Sequence, residues 1–147
     1  MANTLYDIAR EKFLKGELDW VDHDFKVCLI NKDVYTPHFT NHTNLSDVSS
    51  GAIPVPGGGM TTGYTGGVPL VLKDATGGAA DAQDVTFVSV DGGHDEMEAL
   101  LIYRDTGDTA TSTLIAFIDS ATGLPIQPNG GDIIVVWDGG VNRIFRL

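Results

Sequence analysis

The sequence is short of cysteine and of long apolar runs. Cys28 is its only cysteine, so no disulfide can form within the chain, as is usual for proteins that fold in a reducing cytosol. No apolar stretch approaches the roughly 20 residues of a membrane-spanning helix. The chain begins MANTLYDIAREKF, with charges where a signal peptide needs an apolar segment. We therefore expect a protein that is made in the cytoplasm and does not enter a membrane.

Basic residues are also scarce. Nine Lys and Arg stand against 20 Asp and Glu, which gives a net charge of −11 at pH 7. Nucleic acids and anionic membrane surfaces are held mainly by Lys and Arg, and an acidic surface repels them. The sequence therefore predicts no nucleic-acid partner and no membrane partner.

The motifs of common enzymes are missing as well. No glycine cluster is followed by the Lys-Ser or Lys-Thr of a phosphate-binding loop, and no serine lies in a Gly-x-Ser-x-Gly elbow. Cys28 lies inside an apolar segment, which is typical of a core thiol rather than a nucleophile. Asp19 and Asp22 flank Trp20, but we interpret them as a turn whose Trp packs under a helix. We predict no catalytic residue and no enzyme.

Two segments could attract a metal ion. His38 and His42 are four residues apart with Asp47 nearby, but Pro37 argues against the helix that would place both imidazoles on one face. The acidic residues 91–96 lack the alternating oxygen ligands of an EF-hand and are interpreted as a solvated turn. We predict no metal and no cofactor.

A chain of 147 residues predicts a single domain over 1–147. It divides into a helix at 4–15, a strand and turn at 24–48, a Gly-rich loop or arm at 49–67, and an antiparallel β core at 68–147. In the helix, Thr4 is the expected N-cap, Gly16 the expected stop, and one face carries Leu5, Ile8, Ala9 and Phe13.

Strand candidates follow one another between Gly- and Asp-rich turns. The first, 24–31, alternates Phe25, Val27 and Leu29 with Cys28 and Ile30, which predicts burial on both faces. A short helical turn capped by Asn44 or Thr43 is expected next. Further strands are expected at 68–73, 85–90 (also buried on both faces), 99–104, 112–119, 132–137 and 141–147, the last two forming a hairpin around 138–140. The predicted fold is mainly β: an antiparallel β-sandwich or jelly-roll-like barrel with one N-terminal amphipathic helix and a Gly-rich arm.

The order of segments resembles small virion proteins of tailed bacteriophages. The likeness covers most of the chain apart from 54–67 and is carried by short motifs of strands and turns. These are FLxG at 13–16, LDW at 18–20, FKVxL at 25–29, LSDV at 45–48, ALxIYxDTG at 99–107, TGLP at 122–125 and PNGGDI at 128–133.

Within that group the resemblance implies a capsid decoration, or cement, protein. It would lie on the exterior of the virion, bind the major capsid protein, and stabilise the head; whether it also self-associates stays open. The helix and the Gly-rich arm are the candidates for reaching neighbouring subunits. The contact residues predicted there are Tyr6, Phe13, Val55, Met60 and Tyr64.

Two other functions remain open from the sequence. The chain could instead be a neck, tail or head-fibre component of the virion. It could also be a small carbohydrate-binding β-sandwich, which would need a planar row of exposed aromatic rings supplied by Trp20, Tyr64 and Trp137.

Overall fold

A computed structural model describes residues 3–48, 67–90, 92 and 96–147. Within these residues the chain is mainly β, every strand pairing is antiparallel, and one short α-helix lies near the N-terminus. The elements are β1 (Thr4–Leu5), α1 (Asp7–Leu14), β2 (Phe25–Ile30), β3 (Val68–Pro69), β4 (Ala79–Ala80), β5 (Val85–Phe87), β6 (Ala99–Arg104), β7 (Leu114–Ile118), β8 (Ile133–Val135) and β9 (Phe145–Arg146). The predicted β-rich, antiparallel fold with an N-terminal helix is confirmed.

A five-stranded sheet with the order β1-β7-β6-β2-β3 forms the centre of the fold. Its longest ladder joins β2 to β6 over six residue pairs, from Phe25↔Arg104 to Ile30↔Ala99. Successive side chains of a strand point to opposite faces of the sheet. The predicted alternation in β2 is therefore confirmed, because Val27 packs into one apolar cluster and Cys28 into another.

The two clusters cover opposite faces of this sheet. The first cluster includes Val27, Leu29, Ile102 and Ile115, and the second includes Cys28, Ile30, Leu101 and Phe117. The first also receives side chains from two small sheets, β4-β9 and β5-β8. The second lies against the segment around Tyr35 and the 3-10 turn Leu45–Asp47, which begins after Asn44 as expected. At this turn the Asp47 carboxylate accepts backbone N–H bonds from Thr43 at 2.8 Å and Asn44 at 3.1 Å.

The helix begins later than predicted. Thr4 is not an N-cap: Thr4 and Leu5 form β1, where they pair with Phe117 and Ala116 of β7. A sheet ladder satisfies the backbone groups of these two residues, so the helix starts at Asp7. It ends before Gly16, whose φ of +73° is the left-handed conformation expected of a glycine stop.

The C-terminal hairpin predicted around 138–140 is wrong. β8 pairs with β5 through Val135↔Val85, and β9 pairs with β4 through Phe145↔Ala80. Both partners lie more than 40 residues away in the sequence, and the pairings bring β8 and β9 over the first cluster. The residues at 138–140 therefore lie in the connection between the β5-β8 sheet and the β4-β9 sheet.

Several strands are shorter than predicted. The candidate at 68–73 forms a strand only over Val68–Pro69, and the one at 85–90 forms a strand only over Val85–Phe87. Burial of the latter on both faces is also wrong, since Val88 is exposed and Ser89 turns the chain with a φ of +50°.

Candidate binding surface

The structure places two of the five predicted contact residues. Tyr6 is fully buried in the second cluster, so its side chain offers no surface to a partner. Phe13 is half-buried on α1, with its ring 6.1 Å from that of Phe145. Val55, Met60 and Tyr64, like almost all of the Gly-rich segment, lie outside the described residues.

Tyr6 is instead the buried end of a series of hydrogen bonds that leads to the half-buried His42. Its hydroxyl lies 2.8 Å from the Tyr35 hydroxyl, which lies 2.9 Å from Nδ1 of His42. The backbone N–H of His38 also donates to this Nδ1, at 3.3 Å. Nδ1 is therefore an acceptor, Tyr35 donates to His42, and Tyr6 donates to Tyr35.

The environment keeps every group in this chain uncharged at neutral pH. Burial, with the neighbouring tyrosine, raises the pKa of Tyr6 far above its ordinary value, and burial raises the pKa of Tyr35 to about 12. Burial, reinforced by the adjacent His38, lowers the pKa of His42. Hydrogen-bonded side chains without charge, which link the start of the helix to the loop at 35–42, suit a structural contact that holds the two segments together.

Two of the residues considered for metal binding, His42 and Asp47, have other hydrogen-bond partners. His42 receives the hydrogen bonds just described. Burial alone would raise the pKa of Asp47, but the backbone N–H bonds from Thr43 and Asn44 lower it. In the described part of the chain, no group of three or more His, Cys, Asp or Glu side chains is placed to hold a metal ion. Of the acidic segment 91–96, only Gly92 and Glu96 are described.

Cys28 lies in the middle of β2 and is fully buried. Burial strongly raises the pKa of its thiol. A thiol must ionise to act as a nucleophile, so this one remains protonated and serves as a core residue.

Asp19 begins the turn that places Trp20. Its Oδ1 accepts the backbone N–H groups of Val21 at 3.0 Å and Asp22 at 3.1 Å. The indole of Trp20 packs 4.7 Å from the Phe25 ring, and its Nε1 donates to the carbonyl of Asp81. Trp20 is buried, so it cannot supply the exposed ring that a carbohydrate-binding row requires.

A groove of about 940 Å³ opens on the surface of the described residues. One wall comes from β1 at the edge of the five-stranded sheet, and the floor includes Leu100 of β6 and Ile118 of β7. The other wall comes from β8 and the residues just after it, and from β9 and the residues just before it. The groove thus lies where the central sheet and the small sheets separate, and we call it the β8 groove.

The β8 groove differs from the rest of the molecule in charge. Its lining contains three arginines, Arg10, Arg143 and Arg146, and one acidic residue, Asp138. The whole chain carries −11. Local positive charge of this kind attracts a ligand that the remainder of the surface repels.

Each arginine is fixed by a different contact. Arg10 donates to the carbonyl of Leu5 at 3.0 Å and pairs with Asp7 at 3.2 Å, and Arg143 lies 3.6 Å from Asp81. Arg146 instead donates to the carbonyl of Val141 at 3.3 Å. Among the described residues no acidic side chain pairs with Arg146, so this side chain is the best placed of the three to meet an acidic partner.

The groove also exposes aliphatic side chains. Ile134 is 65% exposed and Val136 is 72% exposed, and both contribute to the lining. A smaller apolar hollow of about 240 Å³ lies beside it, where Phe13 meets Trp20, Phe145 and the 62%-exposed Leu147. Phe145 lines both cavities. Exposed apolar side chains gathered in two adjoining cavities are typical of an interaction site.

The sequence could not indicate this surface, because its walls come from four separated parts of the chain. The only local signal is the alternation of Ile134 and Val136 with the buried Ile133. From sequence alone this alternation predicts one strand of a hairpin, and such a hairpin would pair the edge of β8 that the structure leaves exposed.

Comparisons with protein-family models and with curated proteins find no match to this chain. In the described residues, no helix has the length and apolarity needed to cross a membrane.

Proposed function

We propose that this protein is a non-enzymatic component of a tailed-bacteriophage virion that binds the outer surface of the capsid and stabilises the head. The likeness of its segments to small virion proteins suggests the class. The observation that carries a binding role is the β8 groove, which brings exposed aliphatic side chains and three arginines together on an acidic protein. In this proposal the groove and the adjoining hollow at Phe13 form the attachment surface for the major capsid protein.

The fold suits a coat protein attached at one face. We propose that the small sheets over the first cluster form the second layer of a β-sandwich, and that the groove is the open end between the layers. Rigid strands would then hold the attachment surface in place, which lowers the entropy lost on binding.

The acidic net charge of the protein is compatible with a position on the outer surface of the capsid. An acidic exterior keeps particles apart in solution and does not attract nucleic acid. The contact made by one copy need not be strong, because a shell presents many equivalent sites and bridging contacts between neighbours multiply the overall affinity.

Binding to heads that lack the protein tests the proposal. We expect purified protein to bind expanded, empty heads and to raise their resistance to heat. Val136→Asp should abolish attachment, whereas Val88→Asp, at a position 57% exposed on the chain after β5 and outside both cavities, should leave it intact.

The location of the bound protein separates this proposal from a neck or tail component. Protein found only at the neck or tail would refute a capsid coat and support that alternative. Equal loss of attachment in both valine variants would show that the groove is not the attachment surface.

A further inference from the structure

We infer that the β8 groove receives an extended, acidic segment of the partner protein, which adds to the edge of β8 as a further β-strand. This inference rests on the proposed function in taking the groove as the attachment surface. It goes further in specifying the chemistry and the conformation of the segment that binds.

The backbone of β8 provides the first argument. β8 pairs with β5 along one side, and among the described residues no strand pairs with its other side. Its inward residue Val135 packs on the first cluster, while the adjacent Ile134 and Val136 are exposed, yet all three line the groove. Residues from both faces of a strand can border one cavity only where the strand edge faces it. An exposed strand edge is a template for pairing with another chain.

The side chains provide the second argument. A strand lying against β8 would alternate its side chains between Ile134 and Val136 on one face and the core on the other. The arginines of the groove lie around this position, and Arg146 forms no ion pair with any residue that the structure describes. Acidic residues alternating with small apolar ones therefore fit the groove, and basic residues would be repelled.

The probe is a fluorescein-labelled peptide of five Asp-Val repeats, with five Lys-Val repeats as the charge-reversed control. Fluorescence anisotropy with the full-length protein should show binding of the acidic peptide, weakened by added salt, and much weaker binding of the basic one. Two further peptides carry N-methyl groups on all Val amides or on all Asp amides. Because a strand uses alternate N–H groups toward one neighbour, one methylated peptide should lose binding and the other should keep it.

Two pairs of protein variants locate the site. Arg146→Gln should weaken binding about two- to fivefold, as expected for one exposed ion pair. Lys15→Gln makes the same change in charge on α1, where Lys15 pairs with Glu11, and should have no effect. Val136→Asp should weaken binding about tenfold or more through repulsion and lost apolar contact, and Val88→Asp should not.

Equal binding of the acidic and basic peptides, or full binding of both methylated peptides, would overturn the inference. So would a homodimer that Val136→Asp dissociates and that excludes the peptide, because the groove would then hold a second copy of this chain. Peptide binding and head binding are separate measurements. If the protein binds heads but not the acidic peptide, this inference alone is refuted. If the protein binds the acidic peptide but not heads, the capsid proposal alone is refuted.

Discussion

Replacing Tyr35 with Phe should cost more stability than replacing Tyr6, although both side chains are buried and both lose one hydroxyl. The direction of the hydrogen-bonded chain is the reason. Tyr6 donates to Tyr35, and Tyr35 donates to Nδ1 of His42, which also accepts the N–H of His38. Tyr35→Phe therefore removes the acceptor of the buried Tyr6 hydroxyl, whereas Tyr6→Phe leaves the bond from Tyr35 to His42 in place.

The magnitudes follow from the burial of the two groups. Tyr6 is 0% exposed, so its hydroxyl has no access to water when Tyr35 is replaced. An unsatisfied buried polar group costs about 1–3 kcal/mol, and a lost hydrogen bond without such a group about 0.5–1.5 kcal/mol. We expect about 2 kcal/mol for Tyr35→Phe and about 1 kcal/mol for Tyr6→Phe. The double variant leaves no hydroxyl unsatisfied and should cost about 2 kcal/mol, less than the sum of the single changes.

Urea unfolding at pH 7.5, followed by circular dichroism, measures all three free energies. For a domain of this size, 2 kcal/mol corresponds to a fall in Tm of about 4–8 °C. Equal costs for the two single variants, or strict additivity in the double variant, would refute the assigned direction of the chain.

Two other predictions concern the backbone and pH. Gly67→Ala should destabilise the fold by about 1–3 kcal/mol, because the new Cβ would overlap the hydroxyl of Tyr103. At Gly139 a Cβ meets nothing within 4 Å, so Gly139→Ala should be nearly neutral. Equal melting temperatures for the two variants would contradict this packing. The lowered pKa of His42 means that the unfolded chain binds a proton below about pH 6.5 while the folded chain resists it. Its contribution to stability is thus present above that pH and is lost as the pH falls through the folded value. The free energy of unfolding should be lower at pH 5.5 than at 7.5, and a variant with Asn in place of His42 that keeps the full pH dependence would contradict the assignment.

Local sequence patterns correctly predict the strands that are covered by apolar clusters on both faces. β6 has the predicted bounds of 99–104, and β2 lies within the predicted 24–31. Both are central strands with apolar residues facing both clusters, so the apolar pattern alone defines them. Gly16 ended the helix where expected, because the left-handed conformation at that position favours glycine.

Long-range pairing could not be predicted in the same way. Val135 pairs with Val85, 50 residues earlier, and Thr4 with Phe117. Nothing in the local sequence indicates these partners, so the local pattern predicts a hairpin of β8 and β9 and a helix cap at Thr4. The β8 groove exists because of these pairings and was therefore missed. Tyr6 is a predicted partner contact because it lies in the predicted helix at 4–15, a candidate for reaching neighbouring subunits, but its hydroxyl bonds to Tyr35 inside the fold.

Cryo-microscopy of heads reconstituted with the purified protein tests the proposed capsid attachment most directly. Expanded heads lacking the protein are incubated with the full chain, with Val136→Asp and with Val88→Asp. The proposal predicts density for the chain over the whole outer shell with the β8 groove against the capsid, retained with Val88→Asp and lost with Val136→Asp. Shells without added density, or density confined to the neck or tail, would contradict it.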